Sequence, residues 1–253
     1  MNKGISILCC YNDSEELERM LRSSVERLIN NSLPFEVDLH LIDTKSKGYT
    51  SAAQAYNREV GIHQGDLKDI LIFCHQDISF PDSKLLECIY DELTSDESQI
   101  LGVAGMPIVG TPVSNLRYKS DGSFITKCQI SGKTPVVSLD ECLIALSKDL
   151  FINLWFDEKH LRHWHLYAVD LCYNAWLNHG IASFVLPQSI FHKDTAENGQ
   201  QTDNVFLNEL NAIACKYQGH TDIIRTPCYI LPTRPVSRYG KLVRTYVKHL
   251  LKR

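Results

Sequence analysis

The strongest constraint on the fold is a repeated alternation. Three short apolar runs each end in a polar cluster, and each is followed by a stretch of helical periodicity. The runs are residues 4–10 (GISILCC), 36–43 (EVDLHLID) and 69–75 (DILIFCH). They are too short for ordinary helices, and the first and third are apolar on both faces, as strands buried in a parallel sheet must be. After the first run Asn12-Asp13-Ser14 offers an N-cap, and Leu17, Met20, Leu21, Val25 and Leu28 recur at helical spacing. After the second, a polar loop over 45–48 leads into a helix over 51–62. After the third, Pro81-Asp82-Ser83 opens a helix that runs through Leu93. Strand, helix, strand, helix, strand, helix predicts an α/β fold with a mostly parallel, doubly wound sheet flanked by helices. Ligands of such sheets sit at the carboxyl ends of the strands, where the strand order reverses. Residues 10–13, 43–44 and 75–77 are therefore expected to converge on one crevice.

The rest of the chain is less regular. Residues 101–107 read as a strand, and 110–132, rich in Gly, Ser, Asn and Asp, as a mobile loop or hairpin. Residues 136–146 read as two short strand segments around an acidic pair. A helix over 156–180 carries Asp170 and stops at Gly180, and a last strand over 181–186 leads to Phe191-His192-Lys193.

Composition narrows the function. No apolar stretch approaches the ~20 residues that span a bilayer, and the first residues show no signal-peptide pattern; the reading is a cytoplasmic protein with reduced thiols. None of the nine cysteines falls in a C-x-x-C pair, which disfavours a zinc knot. No G-x-G-x-x-G follows the first strand and no G-x-x-x-x-G-K-[ST] occurs, so dinucleotide and triphosphatase chemistry are disfavoured. Net charge is −4, yet no acidic residue follows Asp222, while Arg225, Arg234, Arg238, Lys241, Arg244, Lys248, Lys252 and Arg253 are all basic. The last stretch reads as a basic amphipathic helix with an apolar stripe of Leu242, Tyr246, Leu250, Val243 and Val247. Such a helix either lies on anionic lipid at the inner face of a membrane or docks on the domain with a solvated basic face. Nucleic acid is not expected, because the body is acidic and no binding motif is present. No sequence feature specifies an oligomeric state.

His75-Gln76-Asp77 is the most informative triplet. A carboxylate just past a buried strand, in an open crevice, suits a hard divalent ion that neutralises a leaving diphosphate. The plainer reading is that Asp77 caps the helix near Pro81 and His75 packs at the strand end. His192, after the last strand, is a further candidate imidazole ligand. Asp140 and Asp170 are the carboxylates best placed to deprotonate an acceptor hydroxyl. If Asp170, among apolar neighbours, faces the cleft, its pKa should rise.

Taken in order, ISILCCYND (5–13), AQAYN (53–57), IFCHQDI (72–78), SLDECLIA (138–145), Phe156-Asp157-Glu158, WHLYAVDLC (164–172) and His192 resemble the family 2 glycosyltransferases of the GT-A fold. The likeness is greatest to the bacterial capsule and surface-polysaccharide branch, whose metal motif is written H-Q-D. The resemblance covers roughly residues 4–195 and implies a catalytic domain over 1–205 with a helical extension over 206–253. It implies that Cys10, Tyr11 and Asn12 line a nucleoside pocket, that Asp43 contacts the base, and that Tyr56 and Asn57 flank the donor. Asp77 would bind Mn²⁺ or Mg²⁺, with His75 and Gln76 nearby and His192 as a further ligand. Many family members carry an acidic pair where Tyr167 and Ala168 stand, so the base is expected in the order Asp170, Asp140, His165. The expected activity is inverting transfer from a nucleotide-diphospho-sugar, UDP before GDP or dTDP, to a glycan or lipid-linked acceptor. The alternative is an inactive sugar-nucleotide-binding partner in polysaccharide assembly.

Overall fold

The structure is a computed structural model that describes residues 4–31, 33–193 and 203–251. The side chain of Leu250, together with Lys252 and Arg253 of the expected basic stripe, lies outside what is described.

The three apolar runs form β1 (Gly4–Tyr11), β2 (Glu36–Asp43) and β3 (Ile70–Cys74). β1 pairs in parallel with β2 on one side and β3 on the other, so the strand order reverses at β1. Beyond β3 the seven-stranded sheet continues through β11 (Leu143–Ser147), β5 (Gln99–Gly102) and β12 (Ala182–Val185) to β9 (Thr134–Val136). β11 is antiparallel to both neighbours and β9 is antiparallel to β12; the other five strands run one way.

The expected strand over 101–107 is two strands. The chain breaks at Val103, and β6 (Ala104–Met106) leaves the main sheet to pair with β10 (Ser138–Leu139) and β7 (Val113–Ser114). This crossing requires glycine: a Cβ on Gly105 would lie 2.8 Å from the Ser138 carbonyl oxygen. A third small sheet joins β4 (Ile78–Ser79), β13 (Phe191–His192) and β8 (Arg117–Tyr118). Finally β14 (Ile223–Arg225) and β15 (Ile230–Pro232) form a hairpin.

Helices cover both faces of the sheet. On one lie α1 (Ser14–Leu17), a π-helical turn over Glu18–Arg22, α2 (Ser23–Asn30) and α5 (Lys84–Ser95), burying Leu17, Leu21, Val25, Leu86 and Ile89. Near the other lie α3 (Thr44–Lys47), α4 (Ala52–His63), α6 (Lys148–Leu154), α7 (Tyr167–His179), α8 (Asn204–Lys216) and α9 (Pro235–Leu251). Tyr56, Phe73, Phe151, Phe156 and Tyr167 stack there as an aromatic cluster. Phe206, Leu207, Leu210, Ile213, Leu231 and Leu242 belong to the same apolar core, so the segment from α8 onward is packed on the body.

The helix expected over 156–180 begins only at Tyr167. Residues 156–166 are held as a loop by buried Glu209 of α8, whose Oε1 accepts from the amides of Arg162 (2.7 Å) and His163 (2.8 Å). The loop ends at Leu166, whose φ of 64° is left-handed and sets where α7 can start. The loop over 110–132 is stitched to the body: Asn115 Nδ2 donates to the carbonyls of Ile130 (2.7 Å) and Pro187 (2.6 Å).

Candidate metal and nucleotide site

The site grows from the strand reversal. At the ends of β1 and β3 the Tyr56 hydroxyl fills the gap between strands, accepting from the Cys10 amide (3.4 Å) and donating to the Cys74 carbonyl (3.2 Å). Beyond it, Cys10, Tyr11, Asn12, Thr44, His75, Gln76, Asp77 and Trp164 line a cleft of ≈ 200 Å³. Gln76 ties its two walls together. Its Oε1 accepts from the amides of Asn12 (2.9 Å) and Asp13 (3.2 Å), and its Nε2 donates to Asn12 Oδ1 (3.2 Å). Thr44 Oγ1 donates to the Tyr11 carbonyl (2.9 Å), which fixes the third wall. Burial pushes the Cys10 thiol up to about 12, so that wall is a neutral thiol.

At one end of the cleft stand His75, Asp77 and His192, with one ligand atom from each lying within 4.8 Å of the others. His75 Nδ1 is 3.9 Å and His192 Nε2 3.7 Å from Asp77 Oδ1. β13 pairs antiparallel with β4, placing His192 opposite Ile78, and the Lys193 amide donates to the Asp77 carbonyl (2.9 Å). His192 Nδ1 lies 2.9 Å from the Lys193 carbonyl. A proton on Nδ1 satisfies that contact and leaves Nε2 bare toward Asp77, the arrangement of a metal-ligating imidazole. Burial pushes the His75 imidazole below its ordinary value, although Asp77 and Asp140 pull the other way, and a neutral ring is what ligation needs.

These residues fit a divalent ion. Asp77 Oδ1 is buried without a hydrogen-bond partner, an arrangement that costs free energy unless something positive occupies the space beside it. Two imidazoles and a carboxylate form a mixed N/O set that accepts Mn²⁺ readily and Mg²⁺ less so. Asp77 does not cap α5; Ser83 occupies the cap position, and Asp82 Oδ1 accepts from the Lys84 amide.

A second cavity, ≈ 300 Å³, opens on the far side of His192. Gly105, Pro112, Val113, Leu116, Tyr118, Asp140, Cys142 and Pro227 contribute to its lining. Asp140 Oδ1 caps the turn into β11 by accepting from the Cys142 amide (3.0 Å). Beside it, burial first and the neighbouring Asp140 second push the Glu141 carboxyl up to about 8, and its Oε1 lacks a partner.

Several expected site residues stand elsewhere. Asp170, the first-choice base, is 3% exposed and faces α8. Lys216 Nζ donates to both its oxygens (2.9 and 2.8 Å), and the Tyr217 hydroxyl donates to Oδ1 (3.1 Å). Burial does raise its carboxyl, against the pull of Lys216, but the side chain lines neither cavity. Tyr56 is 1% exposed and belongs to the core. Asn57 clamps the 156–158 turn, donating to the Phe156 carbonyl (2.9 Å) and Glu158 Oε1 (2.8 Å). Asp43 spends Oδ1 capping α3 through the amides of Lys45 and Ser46, and the Ser46 amide above all holds its carboxyl below the usual range. His165 is exposed, with its ring edge-on to Phe206. Thr44 lines the cleft, as expected of the 43–44 cluster. Trp164, the first residue of the 164–172 motif, lines it too, although the motif gave it no role, and Glu141 of the acidic pair is the chain neighbour of Asp140.

No protein-family model matches the chain, and no curated protein matches it in sequence. Solved structures do match in three dimensions. The crystal structure of GalNAc-T7 with UDP, GalNAc and Mn²⁺ superposes with a TM-score of 0.58 at 14% identity, over 87% of this chain and 49% of that one. The crystal structure of S. aureus TarS 1–349 superposes with a TM-score of 0.52 at 13% identity, over 84% of this chain and 65% of that one. This chain thus spans about half of the first and under two thirds of the second. The fold is the GT-A fold of nucleotide-diphospho-sugar transferases, as the sequence motifs led us to expect.

Proposed function

We propose that this protein is a metal-dependent, inverting glycosyltransferase using a nucleotide-diphospho-sugar, with UDP the first donor to test. The observation that carries the reading is the cluster of His75, Asp77 and His192 around an orphaned carboxylate oxygen, placed between the two cavities at the strand reversal. Cys10, Tyr11, Asn12 and Trp164 would hold the nucleoside in the first cavity. The pyrophosphate would lie toward Asp77, where a bound Mn²⁺ or Mg²⁺ supplies charge neutralisation for the departing diphosphate. The acceptor, a glycan or a lipid-linked sugar, would enter the second cavity, where Asp140 is the base that receives the hydroxyl proton. With Asp170 locked by Lys216, Asp140 leads His165 in that role. Peripheral contact with the inner face of a membrane suits such an acceptor; among the described residues no helix is long and apolar enough to cross one.

Tyr167 and Ala168 in place of an acidic pair motivate a second reading, a sugar-nucleotide binder without turnover. Titration calorimetry of UDP, GDP and dTDP, with and without Mn²⁺, on wild type and Asp77→Ala tests the first half of the proposal. Metal-dependent binding of one nucleotide, lost in the variant, is the expected result, and absence of binding by all three rejects it. Donor turnover with a panel of sugar and lipid-linked acceptors then separates enzyme from binder.

A further inference from the structure

α9 carries two apolar stripes, and only one of them serves the fold. On the inner side Leu242 is 5% exposed, Tyr246 donates to Asn208 Oδ1 (2.8 Å), and the buried Arg238 donates to the Thr233 carbonyl (2.6 Å). The Thr245 and Tyr229 hydroxyls share a further hydrogen bond (2.5 Å). These contacts fix the helix on α8 and the β14–β15 hairpin without any help from the opposite face. On that outer face Val236, Tyr239, Val243 and Val247 are 89, 55, 58 and 46% exposed. Their spacing puts all four on one line along the helix, so the sequence's single expected stripe is split, with Val243 and Val247 turned outward.

The charge beside that line is of one sign. Arg244 and Lys248, both exposed, lie along one flank, and no acidic residue follows Asp222 in the chain. Asp222 itself is paired with Arg234 (3.1 Å). Apolar side chains edged by uncompensated cations fit a surface that is apolar within and anionic at its rim. We propose that the outer face of α9 seats this protein on an anionic lipid bilayer, with Val236, Tyr239, Val243 and Val247 dipping below the headgroups and Arg244 and Lys248 meeting them.

The hairpin against which α9 packs also reaches the second cavity. Pro227, in its turn, lines that cavity, and Arg225 of β14 donates to the carbonyls of Pro107 (3.1 Å) and Gly110 (2.7 Å). Those two bonds tether a loop whose Ile108 and Val109 are 63 and 80% exposed. Docking through α9 would therefore place lipid near the cavity that admits the acceptor, a consequence that rests on the transferase reading, whereas the docking itself does not.

The test is co-sedimentation of the full chain with vesicles of phosphatidylcholine alone and of phosphatidylcholine mixed with phosphatidylglycerol. Wild type is compared with Val243→Glu/Val247→Glu and Arg244→Glu/Lys248→Glu, with melting temperature and UDP titration as controls for the fold and the cleft. The expected result is salt-sensitive binding to the anionic vesicles only, weakened on the order of tenfold or more in each double variant, with both controls unchanged. Wild type that ignores anionic vesicles overturns the proposal, as do variants that bind them equally well. A dimer that Val243→Glu/Val247→Glu disperses, in the absence of vesicle binding, assigns the face to a second copy instead. Because vesicle binding is read without nucleotide, failure of the donor titration and failure of docking are separate results.

Discussion

His192 Nε2 faces Asp77 Oδ1 at 3.7 Å because β13, far along the chain, pairs with the two-residue strand that immediately follows Asp77. The Asp77 oxygen has no hydrogen-bond donor, so the two side chains form a contact that is incomplete without a cation. That incompleteness separates a metal ligand from a structural carboxylate, and it gives the two readings opposite signs in a stability measurement.

Asp77→Asn should leave the metal-free protein as stable as wild type or slightly more so, since the Oδ1 it alters is buried with no hydrogen-bond donor to lose. Mn²⁺ should raise the melting temperature of wild type, by about 2.7 kcal/mol of stabilisation at a hundredfold excess over its Kd, and leave Asp77→Asn unmoved. Scanning fluorimetry with and without Mn²⁺ reads both. A variant that loses about 1 kcal/mol without metal, the usual cost of a lost cap, would return Asp77 to a structural role.

Asp140 and Asp170 should separate cleanly. Asp140→Asn keeps a side-chain oxygen for the Cys142 amide, so melting temperature and nucleotide binding should hold while transfer falls by a factor on the order of 100 or more. Asp170→Ala strips one of two carboxylates from Lys216, which otherwise retains Asp157 (2.7 Å), and takes a side-chain acceptor from the Tyr217 hydroxyl; it should cost about 1–3 kcal/mol of stability. The folded fraction should still bind nucleotide. Denaturant melts paired with titration calorimetry read both variants, and a stable, binding-competent but inactive Asp170→Ala would reinstate Asp170 as the base.

Gln76 is expected to act as a strut. Gln76→Ala leaves the amides of Asn12 and Asp13 without their acceptor and removes the donor to Asn12 Oδ1. Nucleotide affinity should fall by roughly tenfold, equivalent to about 1.4 kcal/mol, with the Mn²⁺-induced rise in melting temperature retained. Loss of that rise would place Gln76 among the metal contacts.

What was legible in the sequence was local. β1, β2 and β3, the cap at Asp13 and the polar clusters beyond the strands follow from short-range pattern and chemistry, and the strand reversal brings the clusters together. The rest depends on partners far along the chain. Asp170 sits among apolar neighbours as read, but which way α7 turns it is decided by Lys216 and Tyr217 on α8. The late start of α7 is imposed by Glu209. β11 slips antiparallel between β3 and β5, which no periodicity in residues 136–146 announces. Tyr56, expected to flank a donor, lies beneath the floor of the first cavity, because one hydroxyl can join β1 to β3 only from inside the core.

The Glu141 carboxyl gives the site a pH signature. Its folded-state value, raised to about 8 by burial and by Asp140, exceeds the ordinary glutamate value near 4.3. The folded protein therefore holds a proton that the unfolded chain has released between those two pH values. Stability is fully present below about pH 4.3 and declines as pH rises through about 8. Glu141→Gln cannot ionise and should flatten that decline, with its advantage over wild type growing to about 1–3 kcal/mol at alkaline pH. Urea melts of both proteins at a series of pH values measure the difference. Parallel curves would mean that Glu141 ionises freely in the folded state. Crossing curves, with the glutamine variant ahead only at high pH, would mean that a protonated glutamate stands beside Asp140, the base proposed above. In that case Asp140 meets the acceptor without a second negative charge next to it, and Glu141→Asp, which shortens the side chain and moves the proton, should shift the pH profile of transfer before it lowers its maximum.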